Sequence, residues 1–187
     1  MRVIAGSARG LRLIAPEGDA VRPTSDRARE ALMSTLGGHF DGERVLDLCA
    51  GTGAIGIELL SRGCAHATFV EPSEAGLAVL RENLRRAAVA DRAEVVATTA
   101  QRAIDVFAQQ GNVFDIVFID PPWKLQLHGA LVAQVQASGI LAPRGEIVVE
   151  RHAKKSLPPA AVEGWQTIWQ RNYGRCSLER ICRSDDA

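Results

Sequence analysis

Two stretches of this chain hold residue types suited to group-transfer chemistry. The first is Asp47-Leu48-Cys49-Ala50-Gly51-Thr52-Gly53-Ala54-Ile55-Gly56, a GxGxxG pattern between a short apolar run and a helical one. Glycines there permit a tight turn and close approach of a ligand to the backbone, and the helix start adds partial positive charge. Glu71 ends the next apolar run, twenty residues after Gly51, and Pro72 follows it. A carboxylate so placed can accept hydrogen bonds from both hydroxyls of a ribose. Three readings meet here: a packing turn, a dinucleotide site, and a site for S-adenosylmethionine. Asp47 favours the last, because an anion attracts a sulfonium or the amino group of a methionine moiety and repels a pyrophosphate.

The second stretch is Asp120-Pro121-Pro122-Trp123, delivered by the apolar run FDIVFI at 114 to 119. Carboxyl ends of strands are where open α/β sheets bind ligands. The exocyclic amino group of guanine, adenine or cytosine is a poor nucleophile, because its lone pair is delocalised into the ring. Hydrogen bonds from its two N–H groups, one to the Asp120 carboxylate and one to the Pro121 carbonyl, pull the nitrogen toward tetrahedral geometry and aim the lone pair at a methyl donor. Pro122 stiffens the turn, and Trp123 can stack on the base, worth about 1–3 kcal/mol. The bland alternative is a Pro-Pro strand end with an aromatic covering an edge. Both turns in one sheet favour direct transfer to nitrogen, driven by positioning and without a covalent enzyme intermediate.

The elements that must hold these turns follow an α/β rhythm. Short apolar runs at 44 to 49, 67 to 71, 93 to 97, 114 to 119 and 145 to 150 read as strands of a mostly parallel sheet. Leu77, Leu80, Leu84 and Ala87 recur on one face of a helix over 73 to 89, capped by Ser73. Segments 166 to 173 and 177 to 183 read as a terminal antiparallel hairpin across Gly174. Before Arg44 the pattern changes: 3 to 5 and 11 to 15 suggest a small hairpin, and Pro23-Thr24-Ser25 opens a helix through Leu36, capped by Thr24 or Ser25. Residues 1–40 are thus read as an extension and 41–187 as the catalytic domain.

With 187 residues, 47% of them apolar, the chain suits one core and leaves no room for a large recognition domain. Four cysteines form no CxxC pair, and Cys176 and Cys182, on one strand, would lie roughly 20 Å apart, beyond disulfide reach. Reduced thiols in a cytoplasmic protein are expected. No signal sequence or membrane span is expected, and the scattered histidines have no metal-ligand spacing. The 22 basic and 22 acidic residues cancel, which taken alone argues against a nucleic-acid partner. The charges are segregated, however: arginines 2, 9 and 12 precede any acid, more cations follow at 151 to 155 and 171 to 183, and carboxylates concentrate between.

The segments RVIAGSARGLRL, RPTSDRAREAL, VLDLCAGTGAIGIELLSRG, FVE and FIDPPW together resemble the bacterial 16S ribosomal RNA guanine-N2 methyltransferases of the RsmD type, over nearly the whole chain. The resemblance implies a class I S-adenosylmethionine-dependent, Rossmann-like fold with strand order 3-2-1-4-5-7-6, and methylation of a guanine 2-amino group in 16S rRNA of an assembling or assembled 30S subunit. By that match Asp47, Gly51, Thr52, Gly53, Glu71 and Pro72 bind the cofactor, and Asp120, Pro121, Pro122 and Trp123 form the catalytic turn. Arg22, Thr24, Asp26 and Arg27 match the N-terminal signature, which orders the cofactor lid or the RNA. Two positions depart. Trp123 stands where the family often has Tyr or Phe. Thr99-Ala100 stands where related enzymes place Asp or Asn for the adenine, leaving Thr99 as the candidate contact. Arg9, Arg12, Lys124, Lys154 and Lys155, with Arg22, Thr24 and Arg27, are the expected RNA-facing residues of a monomer that binds no metal. DNA or protein-glutamine amino-methyltransferases can use a similar turn, and a noncatalytic assembly factor could inherit the fold.

Overall fold

The computed structural model describes residues 1–15, 26–155 and 164–186. Within them β1 (Arg44–Asp47), β2 (His66–Val70), β3 (Ala93–Val96), β4 (Phe114–Ile119), β5 (Leu141–His152), β6 (Trp165–Tyr173) and β7 (Cys176–Arg183) form one sheet. Its order is β3-β2-β1-β4-β5-β7-β6, the order implied by the resemblance. β1 to β5 run parallel, and β7 turns antiparallel to both β5 and β6.

Alternation along the strands explains the layers. Val45, Phe69, Ile116, Phe118 and Val148 share one apolar cluster with helices α1 (Asp26–Thr35), α2 (Ala54–Ser61) and α3 (Glu74–Arg86). Leu46, Val70, Val117, Ile119, Ile147 and Val149 share another with α4 (Ala100–Gln110) and α5 (His128–Ser138). β1, β2, β4 and β5 are therefore apolar on both faces, as a parallel sheet covered on both sides requires.

Several boundaries differ from those read in the sequence. The first strand stops at Asp47, where the glycine turn begins. The helix expected over 73 to 89 spans Glu74–Arg86: Ser73 caps it, its hydroxyl accepting from Gly76 N–H at 3.0 Å, and Ala88 ends it with φ 53°. β5 is longer than 145 to 150 because pairing with β4 resumes across a register shift. Arg22, Thr24 and the Thr24 or Ser25 cap lie outside the described residues.

The N-terminal hairpin is short for a physical reason. A single bridge joins Arg2 and Arg12, supported by Val3 N–H to the Leu11 carbonyl at 2.9 Å. The next backbone donors turn to α2 instead. Ile4 and Ala5 N–H donate to the buried Glu58 carboxylate at 2.7 and 3.1 Å, and Arg62 donates to the same carboxylate at 2.7 Å. Ser61 Oγ accepts from Ala8 N–H at 2.9 Å and donates to the Ala5 carbonyl at 2.6 Å. Val3 and Leu13 join the same apolar cluster as Leu32, Met33 and Ile57, so the hairpin shares the core of the sheet.

Gly6 lets this docking happen. Its φ is +83°, and a Cβ there would sit 1.8 Å from the Ser61 carbonyl oxygen. Gly10 has a similar φ of +85° but nothing within 4 Å of a Cβ. Gly6→Ala is expected to cost about 2–5 kcal/mol, the sum of left-handed strain and overpacking, against about 1–2 kcal/mol for Gly10→Ala. Urea denaturation of the two variants checks the difference, and equal losses would show that the hairpin is not held against α2.

Candidate active site

β2 and β4 lie on opposite sides of β1, so the loops leaving β1 and β4 part at the carboxyl edge and open a crevice. The glycine turn occupies one wall. Leu48 N–H bonds the Phe118 carbonyl at 3.0 Å and Ala50 N–H the Val70 carbonyl at 3.0 Å, pinning the turn between β4 and β2. Gly53 begins α2 with φ 77°, and a Cβ there would meet Leu80 at 2.4 Å. Gly56 brings α2 onto β2, since a Cβ would enter the Phe69 ring at 2.2 Å.

Glu71 reaches back to this turn. One of its oxygens accepts from Gly51 N–H at 3.0 Å, and the other accepts from Ser73 N–H at 2.9 Å and Ser73 Oγ–H at 2.7 Å. Its carboxylate is thereby held beside the glycine backbone with lone pairs to spare. Thr52 is buried, and its carbonyl accepts from Asn83 Nδ2 at 2.9 Å. The same amide donates to the Ile14 carbonyl at 3.0 Å and accepts from Ile14 N–H at 2.8 Å. Asn83 thus ties the N-terminal hairpin to the glycine turn through a side chain with no exposed surface. Pro72 and Thr99 are exposed, and Thr99 caps α4, its hydroxyl accepting from Arg102 N–H at 3.4 Å.

Asp47 is 2% exposed, and its Oδ1 has no hydrogen-bond partner. Burial pushes its carboxyl up to about 7, opposed by backbone N–H groups of Gly56 and Cys49 and assisted by the Glu71 charge. Asp120 is held well above the usual carboxylate range by burial, then by Glu150 and Asp47. Burial also raises the Cys49 thiol, with Asp47 and Asp120 adding to the effect, so a thiolate is disfavoured there.

In the Asp120 turn, Pro121 is buried and Pro122 exposed, and Leu125 N–H closes a single helical turn onto the Pro122 carbonyl at 2.9 Å. Trp123 lies edge-to-face with His152, with ring centroids 4.9 Å apart. His152 Nδ1 in turn accepts from Lys154 N–H at 3.1 Å. The structure therefore brings Trp123 next to the backbone of exposed Lys154 and Lys155 through His152, while Lys124 is exposed beside Trp123 in the chain. Arg9 and Arg12 are exposed on the hairpin docked to α2, and Arg27 is exposed on α1. Other cations of the basic segments serve the fold: Arg151 pairs with Glu179, Arg180 grips Glu146 through two 2.6 Å bonds, and Arg183 bonds the Ala142 and Leu141 carbonyls.

The family model described as Conserved hypothetical protein 95 matches residues 1–181. The chain belongs to that family. Ribosomal RNA small subunit methyltransferase D of Escherichia coli is 37% identical over 158 residues, covering 84% of this chain and 78% of the relative, so the RsmD-type membership expected from the motifs holds. The solved structure of yhhF from Escherichia coli superposes with a TM-score of 0.84 at 34% identity, covering 98% of this chain and 97% of that one. A solved SAM-dependent methyltransferase from Agrobacterium tumefaciens shares the fold alone: TM-score 0.66, 16% identity, 88% of this chain and 63% of that one.

This RsmD-type crevice fits S-adenosylmethionine on its own atoms. Asp47 Oδ1 is an orphaned buried acceptor suited to a cationic group, and the space beside Gly51 is open, with nothing within 4 Å of a Cβ there. Reading the sequence did not single out Asn83, Glu150 or His152. Asn83 carried a signal, as a polar residue three positions after Leu80 on an apolar helical face. Glu150 and His152 looked like a strand end and a basic run.

Asp47 has a measurable consequence for stability. Its folded pKa lies above its unfolded value, so between about pH 4 and pH 7 the folded state holds the proton more tightly, and stability falls as pH rises through that window. Asp47→Asn removes this cost, because the amide carries no charge to desolvate and its oxygen can still accept from the Gly56 and Cys49 N–H groups. The ligand-free variant is expected to gain up to about 4 kcal/mol over wild type at pH 8 and little at pH 4. Denaturant titrations at the two pH values check this, and a pH-independent difference would contradict it.

Proposed function

We propose that this chain is a 16S rRNA (guanine-N2)-methyltransferase, transferring a methyl group from S-adenosylmethionine to the exocyclic amine of a guanine in the small ribosomal subunit. The observation that carries the reading is the Asp120-Pro121-Pro122-Trp123 turn, held at the carboxyl end of β4 beside the glycine turn of β1 in an RsmD-type chain. The Escherichia coli relative's name supports ribosomal RNA as substrate.

In this reading Asp47, Gly51, Thr52, Gly53 and Glu71 hold the cofactor, with Glu71 on the ribose, and Pro72 and Thr99 border the adenine. The cofactor supplies an electrophilic methyl group. Asp120 and the Pro121 carbonyl accept the two amine N–H bonds and direct the nitrogen lone pair, Pro122 fixes the turn, and Trp123 stacks on a base drawn out of its helix. His152 steadies Trp123 from the side. Residues 1–40 act as the RNA-contacting part and 41–187 as the catalytic part. Arg9, Arg12, Arg27, Lys124, Lys154 and Lys155 contact phosphates, with Arg22 and Thr24 assigned by the family signature alone. The enzyme works as a monomer in the cytoplasm on a 30S particle.

The direct test incubates small subunits lacking the modification with labelled cofactor and maps the product by mass spectrometry; label on any position other than a guanine 2-amino group would refute the assignment. Asp120→Ala is expected to lower transfer at least about 10³-fold while retaining cofactor affinity, whereas Glu71→Ala weakens that affinity about tenfold or more. Turnover assays and calorimetry separate the two. Neutralising Arg9 and Arg12 together should flatten the dependence of log affinity on log salt by about 1.4–1.8. An unchanged slope removes both residues from the RNA interface.

A further inference from the structure

Asn83 does more in the crevice than tie down the hairpin. Ser73, which caps α3, and Gly76, Leu80 and Asn83 within it follow one another at helical spacing and share one face. That face meets the glycine turn residue by residue. Ser73 donates to the carboxylate of Glu71, whose other oxygen accepts from Gly51 N–H. Gly76 leaves room for that carboxylate, since a Cβ there would lie 2.6 Å from its carbon. Leu80 fills the space in front of Gly53, and Asn83 donates to the Thr52 carbonyl.

The bond to Thr52 completes a clamp. In a trans peptide the C=O and the N–H point opposite ways. Asn83 Nδ2 holds the Thr52 carbonyl at 2.9 Å, and the Ala50 carbonyl holds the Gly53 N–H of the same peptide at 2.7 Å. The peptide plane between Thr52 and Gly53 is thus fixed from both sides, with Gly51 and Gly53 next to it at φ 52° and 77°. A glycine-rich turn has many conformations to lose, and such a clamp removes that cost before a ligand arrives.

Ile14 sets the direction of the clamp. Asn83 Oδ1 accepts from Ile14 N–H at 2.8 Å, and Nδ2 donates to the Ile14 carbonyl at 3.0 Å. The amide fits the backbone of that residue in one orientation, which aims the second N–H of Nδ2 at Thr52. Turned over, it would set Oδ1 against two carbonyl oxygens. We propose that Asn83 is a positioning residue for the cofactor: it holds the Thr52–Gly53 peptide in the orientation that binds S-adenosylmethionine, and the docked hairpin holds Asn83. This rests on the reading of the crevice as the S-adenosylmethionine site. Asn83 has no exposed surface, so it acts through the turn rather than on the reacting atoms, and it governs cofactor affinity while leaving the transfer step alone.

The test combines calorimetry of the full-length protein with S-adenosylhomocysteine and turnover on unmodified small subunits at varied S-adenosylmethionine. Asn83→Ala should weaken thioether binding about tenfold and raise the cofactor KM by a similar factor, with kcat at saturating cofactor within about twofold of wild type. Asn83→Leu fills nearly the same space without a hydrogen-bonding atom and should lose as much, whereas a residue that only packs would keep wild-type affinity. Ile14→Pro deletes the N–H that orients the amide, leaves α3 and the turn unaltered, and should weaken binding about threefold. That variant decides the matter if the Asn83 variants fail to fold. Unchanged affinity in folded Asn83→Leu or in Ile14→Pro, or a fall in kcat with affinity intact, overturns the positioning role alone. Failure of wild type to bind S-adenosylhomocysteine overturns the cofactor reading and this role with it.

Discussion

Strand order is the constraint on which everything else depends. Because β2 and β4 flank β1, the chain leaves the carboxyl ends of β1 and β4 in opposite directions, and backbone cannot fill the gap between them. The candidate groups gather around that gap: the glycine turn after β1, Glu71 after β2, the Asp-Pro-Pro turn after β4 and Glu150 two residues before the end of β5. Their proximity follows from topology rather than from nearness in the chain, and the apolar layers on both faces fix it.

Around the crevice the protein uses polar side chains where a longer sheet or hairpin would have used backbone pairing. Glu58, Ser61 and Asn83 satisfy N–H and C=O groups of the first fifteen residues, and all three sit on the helices that follow the glycine turn and Glu71. Buried polar groups of this kind are costly to leave unpaired, about 1–3 kcal/mol each. The hairpin and the glycine turn are therefore parts of one hydrogen-bonded body. The basic residues divide in a similar way. Arg151, Arg180 and Arg183 hold strands together, while Arg9, Arg12, Lys154 and Lys155 remain exposed, so net neutrality says little about the surface that an RNA would meet.

Much of this was legible in the residues. Five short apolar runs located the parallel strands, and the two turns lay at strand ends, where the glycines after Ala50 and the Pro121-Pro122 pair break the apolar runs. What escaped reading has identifiable causes. β5 begins at Leu141, but Pro143, Arg144 with φ 62°, and Gly145 interrupt its pattern and force the register shift against β4. The N-terminal pairing looked longer than one bridge because nothing local reveals that Ile4 and Ala5 donate to a carboxylate far along the chain.

That distance along the chain also has a meaning in time. Ile4 and Ala5 wait for a partner 54 and 53 residues further on, and Ile14 for one 69 residues on. At roughly 5–20 residues per second of synthesis, the hairpin spends on the order of several seconds without the groups that satisfy it. The hairpin can therefore close only after the residues of α2 and α3 that satisfy it have been made.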